Sequence, residues 1–398
     1  MKKLLATLIT ILVIPLTGIH AFAQSAPEAV FLFKDVTVFY EYGKEIIFQT
    51  TLQTEEEVKE IFLFIQPQGQ NVRTETVTGS ENGEVIFTYD AAAAPLRPFA
   101  VTDYWFQATL TDDNIIESEK HQFLYEDNRF DWQRLEKNGF QINWHHKDAS
   151  FGQTVLGVAQ QSLEVSRNYV PAEPPDILRI YVYENASDVQ IAMNLGQHKS
   201  WVAGHASPDL ATVLVSVPQG PGEKLELERQ IPHEITHIMQ YQLMGANYRN
   251  APLWLLEGTA SLAELYPNPD YERVLERAVE NQSLIKIEDL CNTFPQEASR
   301  AFLAYAQSES FTRYIYTHHG SSGLQTLMMN YENGLGCSEG FSAAFKTSLT
   351  QEEYNWQQQL GIHTGSLILQ NIAPYFLVLA LITLPVSIGS IRKKERTQ

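Results

Sequence analysis

The sequence predicts an α+β protein, with a β-rich first third and a helical last third. Residues from about Ala26 to about Tyr125 form short stretches rich in Val, Ile, Phe, Tyr and Thr, separated by turn residues such as Asn82-Gly83. From Glu223 onward, apolar residues recur almost throughout at helical spacing. Strands followed by helices, rather than strands alternating with helices, are typical of an α+β arrangement.

Length and composition limit the classes of protein that need to be considered. The chain of 398 residues is long enough for two or three domains. Hydrophobic residues make up 44% of it and charged residues 19%, which indicates folded domains rather than a disordered chain. The net charge of -19 argues against binding to nucleic acids or to an anionic membrane surface. We therefore expect no nucleic-acid partner.

The β-rich region predicts a sandwich of two sheets. About seven short strands within about 100 residues are typical of an immunoglobulin-like or fibronectin-like fold. No cluster of catalytic side chains stands out there, and His121 is the only histidine of the region. We assign the sandwich to residues 24–126, and the sequence does not indicate what it binds.

The N-terminus has the pattern of a secretory signal peptide. Lys2-Lys3 precedes the apolar run Leu4–Leu16, and Ala21-Phe22-Ala23 places small residues on both sides of one position. A charged start, an apolar middle and such a cleavage site indicate export. We predict cleavage after Ala23, and the alternative is an uncleaved membrane anchor.

The C-terminus predicts a single transmembrane helix. No charged side chain occurs from Thr364 to Ile391, and about 20 apolar residues are enough to cross a bilayer core. The basic cluster Arg392-Lys393-Lys394-Glu395-Arg396 follows directly, and basic flanks stay on the cytoplasmic side. We expect the catalytic part of the chain to be extracytoplasmic, with a short cytoplasmic tail.

A metal-binding motif occurs in one of the predicted helices. The run His233-Glu234-Ile235-Thr236-His237 has the pattern H-E-x-x-H. Residues four apart project from one face of a helix, so His233 and His237 can bind one metal ion. Imidazole nitrogen is a good ligand for zinc, and Glu234 can accept a proton from water at the metal. The sequence therefore predicts a zinc cofactor, with Glu234 as the general base.

A second acidic residue could complete this site. Glu257 lies 20 residues after His237, in the next predicted helix. A catalytic zinc needs three protein ligands and an open position. Reversal of the chain through the turn-rich loop Met244–Asn250 would return a carboxylate to the histidine pair, so Glu257 is the predicted third ligand.

The two segments H-E-I-T-H and W-L-L-E-G-T-A resemble the gluzincin metallopeptidases, in particular the peptidase MA-like domain group, over roughly residues 140–360. The resemblance, with a spacing similar to that of thermolysin, implies a zincin-like catalytic domain with zinc ligands at His233, His237 and Glu257. One departure is Ser261, which stands where thermolysin-like enzymes carry an aspartate that orients a histidine. Glu264, one turn further along, is the nearest alternative.

Further candidates have both a functional and a packing interpretation. Tyr305 and Tyr241 could donate a hydrogen bond to an oxyanion, and we select Tyr305 as the catalytic candidate. The resemblance implies that Thr212–Val217 is an edge strand along which a peptide lies, and an ordinary core strand is the alternative. His205, close to this strand in the sequence, is a candidate to line the cleft.

Two local features leave alternatives open. Pro232 either lies in the first turn of the motif helix or interrupts a longer one, and we favour a kink. Cys291 and Cys337 are the two cysteines of the chain. In an exported protein they either form a disulfide bond or remain as buried thiols.

Together these features predict a membrane-anchored, extracytoplasmic zinc metallopeptidase that hydrolyses a peptide or protein substrate. The alternative is a non-catalytic cell-surface binding protein that retains a metallopeptidase-like domain, and a zinc amidase would share the same site. The predicted organisation is a signal peptide at 1–23, a β-sandwich at 24–126, a gluzincin-like domain at 127–363, a transmembrane helix at 364–391 and a basic tail at 392–398.

Overall fold

The structure, a computed structural model, describes residues 32–361 apart from 79, 82 and 194–203. The predicted signal peptide, transmembrane helix and basic tail lie outside the described residues. Among the helices that are described, none combines the length and the apolar character needed to cross a bilayer. The described chain is a mixed α+β protein, β-rich first and helical later, as the sequence predicts.

Two antiparallel sheets form the first part of the molecule. Its strands are β1 (Phe33–Glu41), β2 (Glu45–Leu52), β3 (Val58–Pro67), β4 (Arg73–Val77), β5 (Ser80–Glu81), β6 (Glu84–Asp90), β7 (Val101–Leu110), β8 (Ile115–Glu117) and β9 (His121–Leu124). One sheet has the order β1-β2-β6-β5, and the other has the order β4-β3-β7-β8 with β9 also paired to β7. Fully buried Phe48 and Phe106, one from each sheet, belong to a single apolar core between the sheets.

The second part is built on a five-stranded mixed sheet. Its strands are β10 (Gln133–Lys137), β11 (Phe140–Trp144), β12 (Leu178–Tyr183), β13 (Gly204–Ser207) and β14 (Thr212–Ser216). Their order is β10-β11-β12-β14-β13, with β12 parallel to both of its neighbours and the outer pairs antiparallel. Alternate apolar residues of β11, β12 and β14, such as Ile180 and Val213, are fully buried against the helices.

The position of β14 corrects one expectation. The segment Thr212–Val217 was expected at the sheet edge, but β14 pairs with β12 on one side and with β13 on the other. Strand β13, with the sequence Gly-His-Ala-Ser, forms the edge instead. Because this short strand lacks the β-branched residues that mark a strand in the sequence, its pattern does not predict the pairing.

Helices pack on both faces of this sheet and fill the rest of the second part. They are α1 (Ala149–Tyr169), α2 (Ala186–Ala192), α3 (Glu223–Met244), α4 (Leu253–Leu262), α5 (Asp270–Glu280), α6 (Ala298–Glu332), α7 (Cys337–Phe345) and α8 (Leu349–Gln359). Helix α6 is interrupted at Gly320, whose φ of 67° is readily adopted by glycine. A disulfide bond joins Cys291 to Cys337 at the start of α7, which is the first of the two alternatives that the sequence left open.

The two parts of the molecule share a contact surface. Phe99 of the sandwich is fully buried against Tyr181 of β12, with ring centroids 4.6 Å apart. The guanidinium of Arg97 donates two hydrogen bonds to the carboxylate of Asp209, at 2.8 and 2.6 Å. Asp209 lies in the turn between β13 and β14, so the sandwich contacts the segment that carries the sheet edge.

Candidate metal centre

Helix α3 presents the predicted histidine pair on one face. The rings of His233 and His237 have centroids 5.1 Å apart, as expected for residues one turn apart. The helix begins at Glu223, so Pro232 lies inside it and a helix start near Ile231 is wrong.

Pro232 affects how the segment after α4 packs against α3. Because Pro232 has no backbone N–H, the carbonyl of Glu228 loses the donor that a helix normally provides four residues later. The backbone N–H groups of Leu265 and Tyr266 donate to this carbonyl, at 2.9 and 3.3 Å. The hydrogen bond that proline removes from α3 is thus replaced by bonds that hold the chain after α4 against α3.

Helix α4 brings Glu257 to the histidine pair, as the sequence predicts. Its Oε2 atom lies 3.2 Å from Nε2 of His233 and 3.6 Å from Nε2 of His237. One potential ligand atom from each of these three residues lies within 4.8 Å of the others. The loop between α3 and α4, with a short 3-10 helix at Gly245–Asn250, provides the reversal.

Each histidine uses its second ring nitrogen for a hydrogen bond away from Glu257. Nδ1 of His233 lies 3.2 Å from Oε1 of Glu264. Nδ1 of His237 lies 3.0 Å from Oε1 of Gln240 and 3.1 Å from the hydroxyl of Tyr248. Metal-binding histidines typically use one nitrogen for the metal and the other for such a partner, so this arrangement fits a bound metal ion.

The charges of the group are complementary. Burial by itself lowers the pKa of His233, but hydrogen bonds to Glu257 and Glu264 outweigh it and raise this pKa well above its usual value. The pKa of His237 is also raised, because the charge of Glu257 outweighs burial. Burial acts to raise the pKa of Glu257, yet the two histidines hold it far below its usual range. A divalent cation could replace the protons on these imidazoles.

Glu234 lies beside this group but outside the three-residue cluster. Its side chain is buried, and burial raises the pKa of its carboxyl group. The backbone of Ala206 in β13 forms a hydrogen bond with the carboxylate. A Cβ atom at Gly204 would lie only 2.7 Å from Oε1 of Glu234, so glycine lets the edge strand pass directly over this carboxylate.

These residues line one cavity of about 650 Å³. Tyr305 on α6 lines it, as does His205 on β13, whereas Tyr241 is not among its lining residues. The charge of Glu257, followed by burial, raises the pKa of Tyr305. The described residues that line the cavity are Gly204, His205, Ala206, Pro208, Arg229, Gln230, His233, Glu234, His237, Tyr248, Glu257, Glu264, Tyr271, Ala298, Ala301, Phe302 and Tyr305.

Some residues of the site were not predicted. Gln240 lies three positions after His237, a helical spacing from which its contact could have been proposed. Tyr248 and Arg229 carry no such signal, because their positions depend on how the loop and the cavity form. Glu264, considered as an alternative to Ser261, is the carboxylate that contacts His233.

Comparisons with known proteins give one family match. Residues 158–361 match the sequence model of the family described as "Peptidase MA superfamily". A comparison with curated protein sequences gives no match. An M1 zinc metallopeptidase from Deinococcus radiodurans is 10% identical in structural alignment, covering 79% of this chain and 90% of that protein with a TM-score of 0.33.

A second solved structure, an aminopeptidase N family protein from Idiomarina loihiensis, is 8% identical over 77% of this chain and 71% of that protein, with a TM-score of 0.36. Both scores are low, so these structures carry no weight in the assignment. The family match alone spans more than half of the sequence and includes the whole of the histidine and glutamate cluster. The chain therefore belongs to the peptidase MA superfamily.

Proposed function

We propose that this chain is a zinc-dependent metallopeptidase that hydrolyses peptide bonds. The observation that carries the proposal is the meeting of His233, His237 and Glu257 beside Glu234 in one cavity. Membership of the peptidase MA superfamily supports the same class of activity.

The three clustered residues would hold the zinc ion through two imidazole nitrogens and a carboxylate, a donor set found in catalytic zinc sites. When bound, zinc supplies a Lewis acid that polarises a carbonyl group and makes water more acidic. Glu264 would fix the orientation of His233, and Gln240 would do the same for His237.

Glu234 would act as the general base. Its carboxylate would accept a proton from the attacking water and then pass it to the nitrogen of the leaving amine. The contact with Ala206 limits the positions that this carboxylate can take. Tyr305 would donate a hydrogen bond to the oxyanion that develops on the substrate carbonyl.

Strand β13 offers a place for the substrate backbone. It is the edge of the five-stranded sheet, and Gly204, His205 and Ala206 line the cavity next to Glu234. An extended peptide could pair with this edge as an additional strand. Such pairing uses backbone groups, so it would position peptides of different sequence in the same way.

We also propose the cellular setting that the sequence indicates. The signal peptide (1–23) and transmembrane helix (364–391) would place an immunoglobulin-like or fibronectin-like sandwich and a zincin-like domain (127–363) outside the cell membrane. External protease added to intact cells should then release a soluble catalytic fragment. Protection of this fragment, with an accessible C-terminal tail, would contradict the proposed orientation.

Two classes of variant test the mechanism. Glu234→Gln preserves size and hydrogen bonding but removes the basic oxygen, so zinc content should stay unchanged while turnover falls at least about 10²-fold. Tyr305→Phe should also retain zinc and should lower kcat by about 10²-fold with little change in KM. His237→Ala and Glu257→Ala should lose zinc together with activity.

Metal analysis and peptide hydrolysis, measured on the same preparations, separate these classes. A Glu234→Gln protein with normal turnover would refute the proposed hydrolytic mechanism. A wild-type chain that binds zinc but cleaves no peptide would favour the non-catalytic binding protein. Full zinc content in Glu257→Ala would place the third ligand elsewhere.

A further inference from the structure

The cavity contains a single strongly basic side chain among the residues that the structure describes. Arg229 is the one lysine or arginine in its lining, in a chain of net charge -19. It lies four residues before His233, so Arg229, His233 and His237 follow one another along one face of α3. The guanidinium is therefore next to the proposed metal centre and on the same side of the helix.

Described residues use little of the hydrogen-bonding capacity of this guanidinium. Nη1 donates one bond of 3.3 Å to Oε1 of Glu226, whose other oxygen accepts a bond from Gln230. Nε is buried and has no hydrogen-bond partner in the described part of the chain. Nη2 likewise donates to no other described residue. The guanidinium therefore has N–H groups that a ligand in the cavity could use.

The surroundings hold the guanidinium at the cavity wall. Its Cζ atom lies 6.0 Å from the ring centroid of Tyr266, within the range of a cation–π contact. The side chain is 26% exposed, so it is neither fully solvated nor enclosed. A planar guanidinium with free donors is well suited to bind a carboxylate, because two of its N–H groups match the two carboxylate oxygens.

We propose that Arg229 recognises a carboxylate group on the peptide substrate, an inference that rests on the proposed peptidase function. One helical turn separates Arg229 from His233, a distance of about 6 Å along the helix axis. An extended peptide advances about 3.4 Å per residue. The recognised carboxylate therefore lies about two residues from the hydrolysed bond. It belongs either to the C-terminus of the substrate or to an aspartate or glutamate side chain.

A purely structural role is the competing explanation. The charge of Arg229 also stabilises the ionised form of Glu264, which contacts His233. If Arg229 acts only through Glu264, its loss would weaken the metal site and would affect all substrates equally. Recognition of a carboxylate instead makes the effect depend on the charge of the peptide.

The test measures binding to the full chain carrying Glu234→Gln and loaded with zinc, so that peptides are not consumed. The probe is a fluorescent pentapeptide of alanine and phenylalanine in three forms. These are the free C-terminal carboxylate, the C-terminal amide, and a set of amides with one internal glutamate at each position in turn. Each form is titrated with and without Arg229→Gln.

At least one carboxylate form should bind about 10- to 100-fold more tightly than the neutral amide, the range expected for a hydrogen bond to a charged group. Arg229→Gln should abolish this preference, with zinc kept saturating so that any weakening of the metal site through Glu264 affects charged and neutral peptides equally. The form that loses affinity tells whether the C-terminus or a side chain is recognised. Arg273→Gln, on the exposed surface of α5 and outside the cavity, should have no effect.

Equal affinity for all forms, or no binding of any form, would overturn the inference. So would an equal loss for charged and neutral peptides in Arg229→Gln, which would identify a structural role. Hydrolysis of the same peptides by the chain with Glu234 intact is measured separately. A clear carboxylate preference without any hydrolysis would refute the proposed peptidase function and leave the recognition by Arg229 standing.

Discussion

Glu264 contacts His233, although the sequence pattern of thermolysin-like enzymes places the carboxylate with this contact at position 261. It lies seven residues after Glu257, past the C-terminal end of α4, and its Oε1 atom is 3.2 Å from Nδ1 of His233. Its side chain is only 4% exposed, and Oε2 is buried with no hydrogen-bond partner in the part of the chain that the structure describes. A buried carboxylate with one free oxygen costs free energy unless a positive charge compensates it. The contact with His233 provides this compensation when the imidazole is protonated.

Glu264→Gln tests this role, because it keeps the size of the side chain and removes its charge. Zinc affinity should fall about 10- to 100-fold, as for other residues that orient metal ligands. Competition with a chelator gives the zinc affinity. Glu276→Gln on the exposed face of α5 is the control, and equal zinc affinities in the two variants would contradict the assignment.

At the scale of elements, the approach of α4 to α6 determines where Glu257 lies. Gly258 directly follows the predicted ligand and faces α6. A Cβ atom at this position would lie 2.2 Å from Oγ1 of Thr312 and 2.3 Å from the carbonyl oxygen of Ser308. The glycine therefore permits a close contact between α4 and α6 that a larger residue would prevent.

Gly258→Ala should push α4 away from α6. We expect the free energy of unfolding to fall by about 1–3 kcal/mol, the usual cost of overpacking. Zinc affinity should fall as well, because Glu257 moves with α4. Gly157→Ala in α1 is the matched control, since a Cβ atom there would meet nothing within 4 Å. The free energy of unfolding of that variant should rise by up to about 1 kcal/mol. If denaturant unfolding showed the same change in both variants, the packing argument would be refuted.

At the scale of the whole molecule, the sandwich is attached close to the cavity. Arg97 binds Asp209 in the turn that joins β13 to β14, and the adjacent Pro208 lines the cavity. The hydroxyl of Tyr42 donates to the backbone carbonyl of Ala192, a second link between the two parts. The sandwich thus supports the segment that we propose to bind the substrate backbone.

The ion pair between Arg97 and Asp209 should depend on pH. Burial raises the pKa of Asp209, but the hydrogen bonds and charge of Arg97 outweigh it and bring this pKa below its usual 3.8. Because the folded-state pKa is depressed, the pair stabilises the fold above pH 3.8, and this contribution is lost as the pH falls through the lowered pKa.

A double-mutant cycle with Arg97→Ala and Asp209→Ala should give a coupling of roughly 1 kcal/mol at pH 7, the upper end for partly exposed pairs. This coupling should approach zero in acid. The exposed pair of Lys59 and Asp113, with a single contact of 3.2 Å, serves as the control and should couple more weakly. Coupling that persists in acid would show that Asp209 stays ionised or acts through another partner.

Local sequence patterns were sufficient for part of this site and for the general arrangement, in which a β-rich region precedes a helical one. Helical spacing places His233 and His237 on one face whatever surrounds them, because that geometry belongs to a single helix. Glu257 could be proposed because a short loop between two helices usually returns the chain antiparallel. With two cysteines, only one disulfide pairing within the chain is possible. The sequence did not decide whether this bond forms, and the structure contains it.

Other features depend on contacts between segments that are distant in the sequence, and no local pattern encodes those distances. The edge position belongs to β13 rather than β14 because strand order is decided by pairing across the whole sheet. Glu264 reaches His233 because the chain after α4 is bound to the carbonyl that Pro232 leaves free. Arg229 lines the cavity because residues of other elements surround the face of α3 on which it lies. Periodicity thus determines which side of an element a residue occupies, whereas packing decides what that side meets.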